Sequence, residues 1–291
     1  MKSVIIFTIS MVIFGTLGAV IRFINLPSSE ISLIRGLLGV MFLTPFLLVN
    51  RRKRMLEDFR ANFRTLLLTG VALAVNWILY TNAFRYTTIA LATISYYIAP
   101  VIAVMLSIVF MKERISILKV VCIGFTLTGM VLMINTGKSD NTSYDHFTGI
   151  LFGFSAAFCY ASLMVLNKFI RNLNGLETTL LQLFLSALVL FPYAFFAGEM
   201  KPLLQDERSL YILLVLGVVH TGLGFLLFFT GIKGLTTQEI AILSYLDPLT
   251  SVLLSCFIFH ERMTAMQITG AIMICGVTLA GTLNWKAVKA T

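Results

Sequence analysis

The chain has 291 residues, 58% of them hydrophobic and only 12% charged, with a mean hydropathy of +0.92. A soluble domain carries about 25% charged residues to cover its surface, so this composition excludes a water-soluble fold and points to lipid as the solvent. The net charge of +9 does not indicate nucleic acid. The densest basic stretch, Arg51-Arg52-Lys53-Arg54, lies between two apolar runs, where cytoplasmic loops of membrane proteins collect Lys and Arg.

In chain order, apolar runs between polar breaks predict spans near 3–24, 30–50, 64–84, 89–111, 118–136, 147–170, 177–198, 209–232, 237–260 and 265–283. About 20 apolar residues cross a bilayer core as a helix. The runs show no two-residue alternation, so they read as helices and not barrel strands. The opening run from Val4 to Ile24 reads as a first span, because it is long and nine more follow without a cleavage pattern. Most of the 22 Lys and Arg fall in the loops that share a side with Lys2, including Arg51 to Arg64, Lys112, Arg114, Lys168 and Lys233. The positive-inside rule then places both termini in the cytoplasm. Cys122, Cys159, Cys256 and Cys275 sit singly in apolar runs, and His146, His220 and His260 are scattered, so neither a metal site nor a cofactor is expected.

The chain also repeats itself. Shifted by 148 residues, Ala83–Arg114 aligns with Gly231–Arg262 without a gap, pairing Thr88 with Thr236, Tyr97 with Tyr245, Pro100 with Pro248, Ser107 with Ser255, and Glu113-Arg114 with Glu261-Arg262. Upstream, Arg22 falls on Lys168, Glu30 on Glu177 and Pro45 on Pro192. The expected fold is therefore an all-α integral membrane protein with two five-helix repeats, over 1–138 and 147–285. Five is odd, so the second copy starts on the opposite side of the membrane. Inverted repeats of this kind recur in secondary transporters, where exchange of two packings opens a midplane site to each side in turn.

Several short motifs carry a resemblance at this point. Phe14-Gly15-Thr16, Arg35-Gly36, Pro100, Asp247-Pro248 and the two Glu-Arg pairs, in this order and spacing, resemble the EamA-type proteins of the drug/metabolite transporter superfamily. Phe14 stands where that pattern often has Trp, and Asp247 where it often has Glu. The resemblance implies a multi-pass protein of the cell membrane that transports small metabolites, often exporting amino acids or other amphipathic compounds.

The residues suggest where such a site would lie. Pro100 and Pro248 fall near mid-span and free the carbonyls of Tyr96 and Ser244, so both fourth helices are expected to break at their centres. Asp247 is an ionisable side chain at the same depth, which is functional by default; it could exchange a proton, meet a cationic substrate or pair with Arg35. Arg35 could instead hold a substrate carboxylate, and His220 could relay protons or make a plain helix contact. Asn76, Trp77, Tyr80, Tyr96, Tyr97 and Tyr245 would form an aromatic wall for an organic cation or aromatic side chain. Glu113, Arg114, Glu261 and Arg262, at helix ends, are gate or interfacial candidates. The leading expectation is a transporter of amino acids or amphipathic amines, with or without proton coupling. A lipid flippase would use the same repeat. An intramembrane enzyme fits less well, because no nucleophile pairs with a base, and no P-loop is present for ATP.

Overall fold

The structure is a computed structural model that describes residues 2–49, 55–111, 144–196, 207–235 and 246–284, with Val121, Gly124, Phe125, 127–129, Val131, Leu132, Leu243 and Ser244 besides. Among the described residues it is entirely helical. Helices α1 (Lys2–Gly15) and α2 (Leu17–Arg22) make the first crossing, interrupted at Thr16. There follow α3 (Ser28–Val49), α4 (Met55–Tyr86), and α5 (Ile89–Tyr96) with α6 (Ala99–Met111), which together form one broken helix. Then come α7 (His146–Asn167), α8 (Gly175–Phe196), and a further crossing made of α9 (Glu207–Val215), a π-helical stretch (Leu216–Leu223) and α10 (Gly224–Gly231). Helices α11 (Leu246–Phe257) and α12 (Ala265–Asn284) complete the described chain.

Seven of these crossings are long and apolar enough to span a membrane, and α11 and α12 contribute two shorter apolar stretches. The expected fifth span lies largely outside the described residues. The third was expected at 64–84, yet α4 begins at Met55 and runs for 32 residues. At about 1.5 Å per residue it is roughly 48 Å long and outreaches the hydrocarbon core. Its extra turns are polar, and they are held because Asn62 bonds the backbone of Arg171 in both directions, at 2.9 and 3.0 Å. Large apolar side chains such as Met41, Val109 and Phe196 are exposed on the outside, which is unfavourable in water and ordinary against lipid.

Local chemistry explains where the helices start. Asn174 and Glu177 cap α8 reciprocally, each side chain accepting from the other's backbone N–H at 2.8 and 2.9 Å. Asp145 caps α7, accepting from the Thr148 N–H at 3.1 Å and its hydroxyl at 2.5 Å, and these bonds hold its carboxyl below the usual aspartate value. Pro45 and Pro192 sit at the same place in α3 and α8.

Packing follows a rule of exchange between the halves. Helix α4 packs on α7 as α1 packs on α10; α4 packs on α8 as α3 packs on the π-helical stretch; α6 packs on α7 as α1 packs on α11. The pair α3 with α8 joins equivalent helices, and α5 packs on α11, the counterpart of α6. On one face of the molecule, Phe7 of α1 lies against Gly231 at the end of α10, and Lys168, just past α7, reaches Ser107 near the end of α6. On the other face, Arg22 at the end of α2 meets Thr87 before α5, and Thr87 meets His146 at the start of α7. The crossing that opens with α1 thus starts on the face where α7 ends.

Candidate functional site

The polar centre is assembled where α5 breaks into α6. After Tyr96 the chain leaves the helix through Tyr97 and Ile98 and resumes at Ala99. Pro100 therefore lies in the first turn of α6, where a missing N–H costs nothing. Pro248 occupies the matching place in the first turn of α11, beside Asp247. Tyr245 lies outside the described residues.

Asp247 is surrounded by phenols. Tyr80, Tyr96, Tyr97 and Tyr160 all lie within electrostatic reach of its carboxyl group. Tyr80 and Tyr96 stack with centroids 4.2 Å apart, and Tyr160 lies 5.5 Å from Tyr96. The Tyr97 hydroxyl also approaches the Ser244 carbonyl at 3.3 Å, one of the carbonyls that the prolines were expected to free. Tyr80 reaches Thr93 at 3.5 Å. Asn76 donates to the Ala156 carbonyl at 2.7 Å and leans on the Tyr96 hydroxyl at 3.5 Å. Asn76, Tyr80, Tyr96, Tyr97, Ser244 and Asp247 are therefore brought together, and Tyr160, on α7, joins them. Sequence reasoning missed Tyr160, which the same 146-residue shift that pairs Arg22 with Lys168 sets opposite Phe14.

Arg35 forms a second group. It is buried, its guanidinium lies 3.9 Å from the Trp77 ring centroid, and Nε donates to Thr221 Oγ1 at 3.3 Å. Among the described residues it makes no ion pair with Asp247, so that expected pairing is not the one formed; a cation–π contact with Trp77 takes its place. His220 is also buried, and its Nε2 lies 2.8 Å from Thr16 Oγ1. The π-helical turn sets this up: its wider backbone register brings His220 and Thr221 to α1 and α3 respectively, as π-helical segments at functional positions often do.

Close approach between α1 and α11 requires Gly15. A methyl group there would lie 2.5 Å from Thr250 Cβ and 2.6 Å from the Asp247 carbonyl oxygen, and the Ser251 hydroxyl donates to the Gly15 carbonyl at 2.8 Å. Phe14 packs on Phe225, with centroids 5.4 Å apart.

Of the gate candidates, Glu113 and Arg114 lie outside the described residues. Glu261 does not pair with its neighbour Arg262, which is exposed. It pairs with Arg22, at 2.5 Å, a residue that the sequence analysis had aligned with Lys168 in the repeat and not named as a gate candidate. A cavity of about 460 Å³ opens elsewhere, lined by Leu47, Asn174, Leu176, Leu226, Phe229 and Ile232. It contains none of the expected site residues. Among the described residues no group of His, Cys, Asp or Glu is placed to hold a metal ion.

The fold is that of a helical multi-pass membrane protein with a polar, tyrosine-walled centre. The sequence profile of the EamA-like transporter family matches residues 1–135 and 147–282, and the chain belongs to that family. It is 31% identical over 273 residues to an uncharacterized transporter, YxxF, of Bacillus subtilis (strain 168), covering 94% of this chain and 86% of that protein. It is 30% identical over 275 residues to an uncharacterized transporter of Archaeoglobus fulgidus, covering 94% and 93% respectively. Protein RarD of Streptomyces exfoliatus is 24% identical over 250 residues, 84% of this chain and 75% of that one. A solved crystal structure covers 98% of this chain and 99% of its own, with a TM-score of 0.66 at 17% identity, a likeness of fold.

Proposed function

We propose that this transporter is a secondary carrier of small amines or amino acids that works by alternating access between two inverted five-helix repeats, 1–138 and 147–285, with both termini in the cytoplasm. In this reading Asp247 exchanges a proton for the ammonium group of the substrate. The observation that carries it is a carboxylate at the start of a mid-membrane helix segment, walled by four tyrosines, with no cation paired to it among the described residues. A carboxylate in such surroundings is neutral with a proton bound, or charged with a cation at hand. Tyrosine faces attract an organic cation further. One proton leaves as one ammonium arrives, so the exchange is electroneutral for a monovalent cation. Net export follows wherever the proton gradient points inward.

The test is a proteoliposome assay with an internal pH indicator, challenged with a panel of amino acids and organic amines. Substrate-dependent proton movement in the wild type that disappears in Asp247→Asn supports the exchange. Labelled-substrate flux without proton movement makes Asp247 a binding residue and removes the coupling. Absence of flux for every compound, with translocation of labelled lipid instead, turns the reading to a flippase.

A further inference from the structure

We infer that Arg22 and Glu261 form the gate that seals the polar centre on the Arg22 face, and that Lys168 and Ser107 stand at the equivalent places of the opposite gate. The inference rests on the alternating-access reading above and adds residues that the reading does not use.

The ion pair is one contact in a buried knot. Arg22 Nη1 lies 2.5 Å from Glu261 Oε1, with the two side chains 13% and 5% exposed. Nη1 also donates to the Tyr144 hydroxyl at 2.5 Å, and Nη2 to the Thr87 carbonyl at 2.6 Å. Glu261 Oε2 accepts from the Ile89 N–H at 3.0 Å and from the Ser255 hydroxyl. Four chain segments from both halves therefore converge: the end of α2, the start of α5, the approach to α7 and the link between α11 and α12. Such a knot is a poor way to gain stability alone, because burying two charges costs about as much as their attraction returns. It is a good way to make a closure reversible. When the segments part, both charges regain water, so the open state is not heavily penalised.

The knot is also wired to the centre. Helix α5 starts at Ile89, whose N–H Glu261 holds, and ends at Tyr96, in the tyrosine wall. Release of Glu261 frees the far end of the helix that carries that wall. The sequence repeat supplies the second gate. Arg22 aligns with Lys168 and Ser255 with Ser107, and Lys168 Nζ donates to Ser107 Oγ at 3.3 Å on the opposite face. There the lysine is exposed, whereas Arg22 is nearly dry. The conformation described is the one closed at Arg22.

Thr93 makes a reporter. It is fully buried on α5, between the knot and Tyr96. The full-length chain, with Cys122, Cys159, Cys256 and Cys275 replaced by Ala, is given Thr93→Cys and exposed in sealed vesicles to a membrane-impermeant maleimide on the Arg22 face. Glu261→Gln and Arg22→Gln should each raise the labelling rate roughly tenfold by shifting the population toward the open state. The swap Arg22→Glu with Glu261→Arg should return it to the starting level. Unchanged labelling in both single variants overturns the gate. High labelling that the swap fails to reverse also overturns it, since general loosening would do the same. Labelling needs no substrate and no proton gradient, so this result stands or falls separately from the flux assay.

Discussion

The two halves share a plan of packing and divide the chemistry between them. Arg35 of α3 stands where α8 has Gln182, between the matched pairs Glu30 with Glu177 and Pro45 with Pro192. Arg35 turns to Trp77 and Thr221, while Gln182 donates to the Asn167 side chain at 2.6 Å. Conversely, Asp247 stands where the first half has Ala99, which is buried beside Ala157 and Ala161. Tyr96 in the wall corresponds to Ser244. In the proposed carrier, helices of matching packing would keep two-sided access while Arg35 and Asp247 offer a substrate one cationic and one anionic end. Symmetry here belongs to the backbone and asymmetry to the side chains.

This comparison can be broken directly. Arg35→Gln makes the two halves alike at that position. Uptake efficiency should fall by about tenfold or more, with membrane insertion intact by detergent-extracted size-exclusion profile, because a buried charged donor is worth about 1.5–3 kcal/mol in its hydrogen bonds alone. Full activity in Arg35→Gln would mean that the cation is only a helix contact. A smaller change is expected from Trp77→Phe, which keeps an apolar ring but weakens the cation–π contact by about 1 kcal/mol; a several-fold higher KM at unaltered expression is the expected reading. The least effect should come from Gln182→Leu. It removes one side-chain hydrogen bond, lowering thermal stability by about 1 kcal/mol, with transport within about twofold of wild type. A large loss of transport there would assign α8 a share in binding and undo the division of labour.

Much of the fold was legible because lipid imposes a simple rule: each crossing must be a long apolar helix. The broken fourth helix was likewise readable from Pro100, whereas Trp77, expected in one wall with Asn76 and Tyr80, lies against Arg35. What escaped was pairing across distance. Arg22 and Glu261 are far apart in the chain, and Glu261 has the basic Arg262 directly beside it, so nothing linear joins it to Arg22. The one available signal was the alignment of Arg22 with Lys168. The π-helical turn escaped as well, since a shift in hydrogen-bond register leaves no clear mark in a run that is apolar on every side. For that reason the contact of His220 with Thr16 emerges only in three dimensions. The length of α4 was missed because its first turns are polar and read as loop.

The stacking of Arg35 on Trp77 has a practical consequence. The chain has two tryptophans, and Trp77 is buried beneath a guanidinium. Indole emission responds to a charge held against the ring, so replacing Trp285 with Phe leaves Trp77 as the single tryptophan, which can be excited selectively over the nine tyrosines. Any ligand that draws Arg35 away would announce itself as a change in colour and intensity. Candidate compounds could then be screened in detergent with no label, no gradient and no assumption about what is carried.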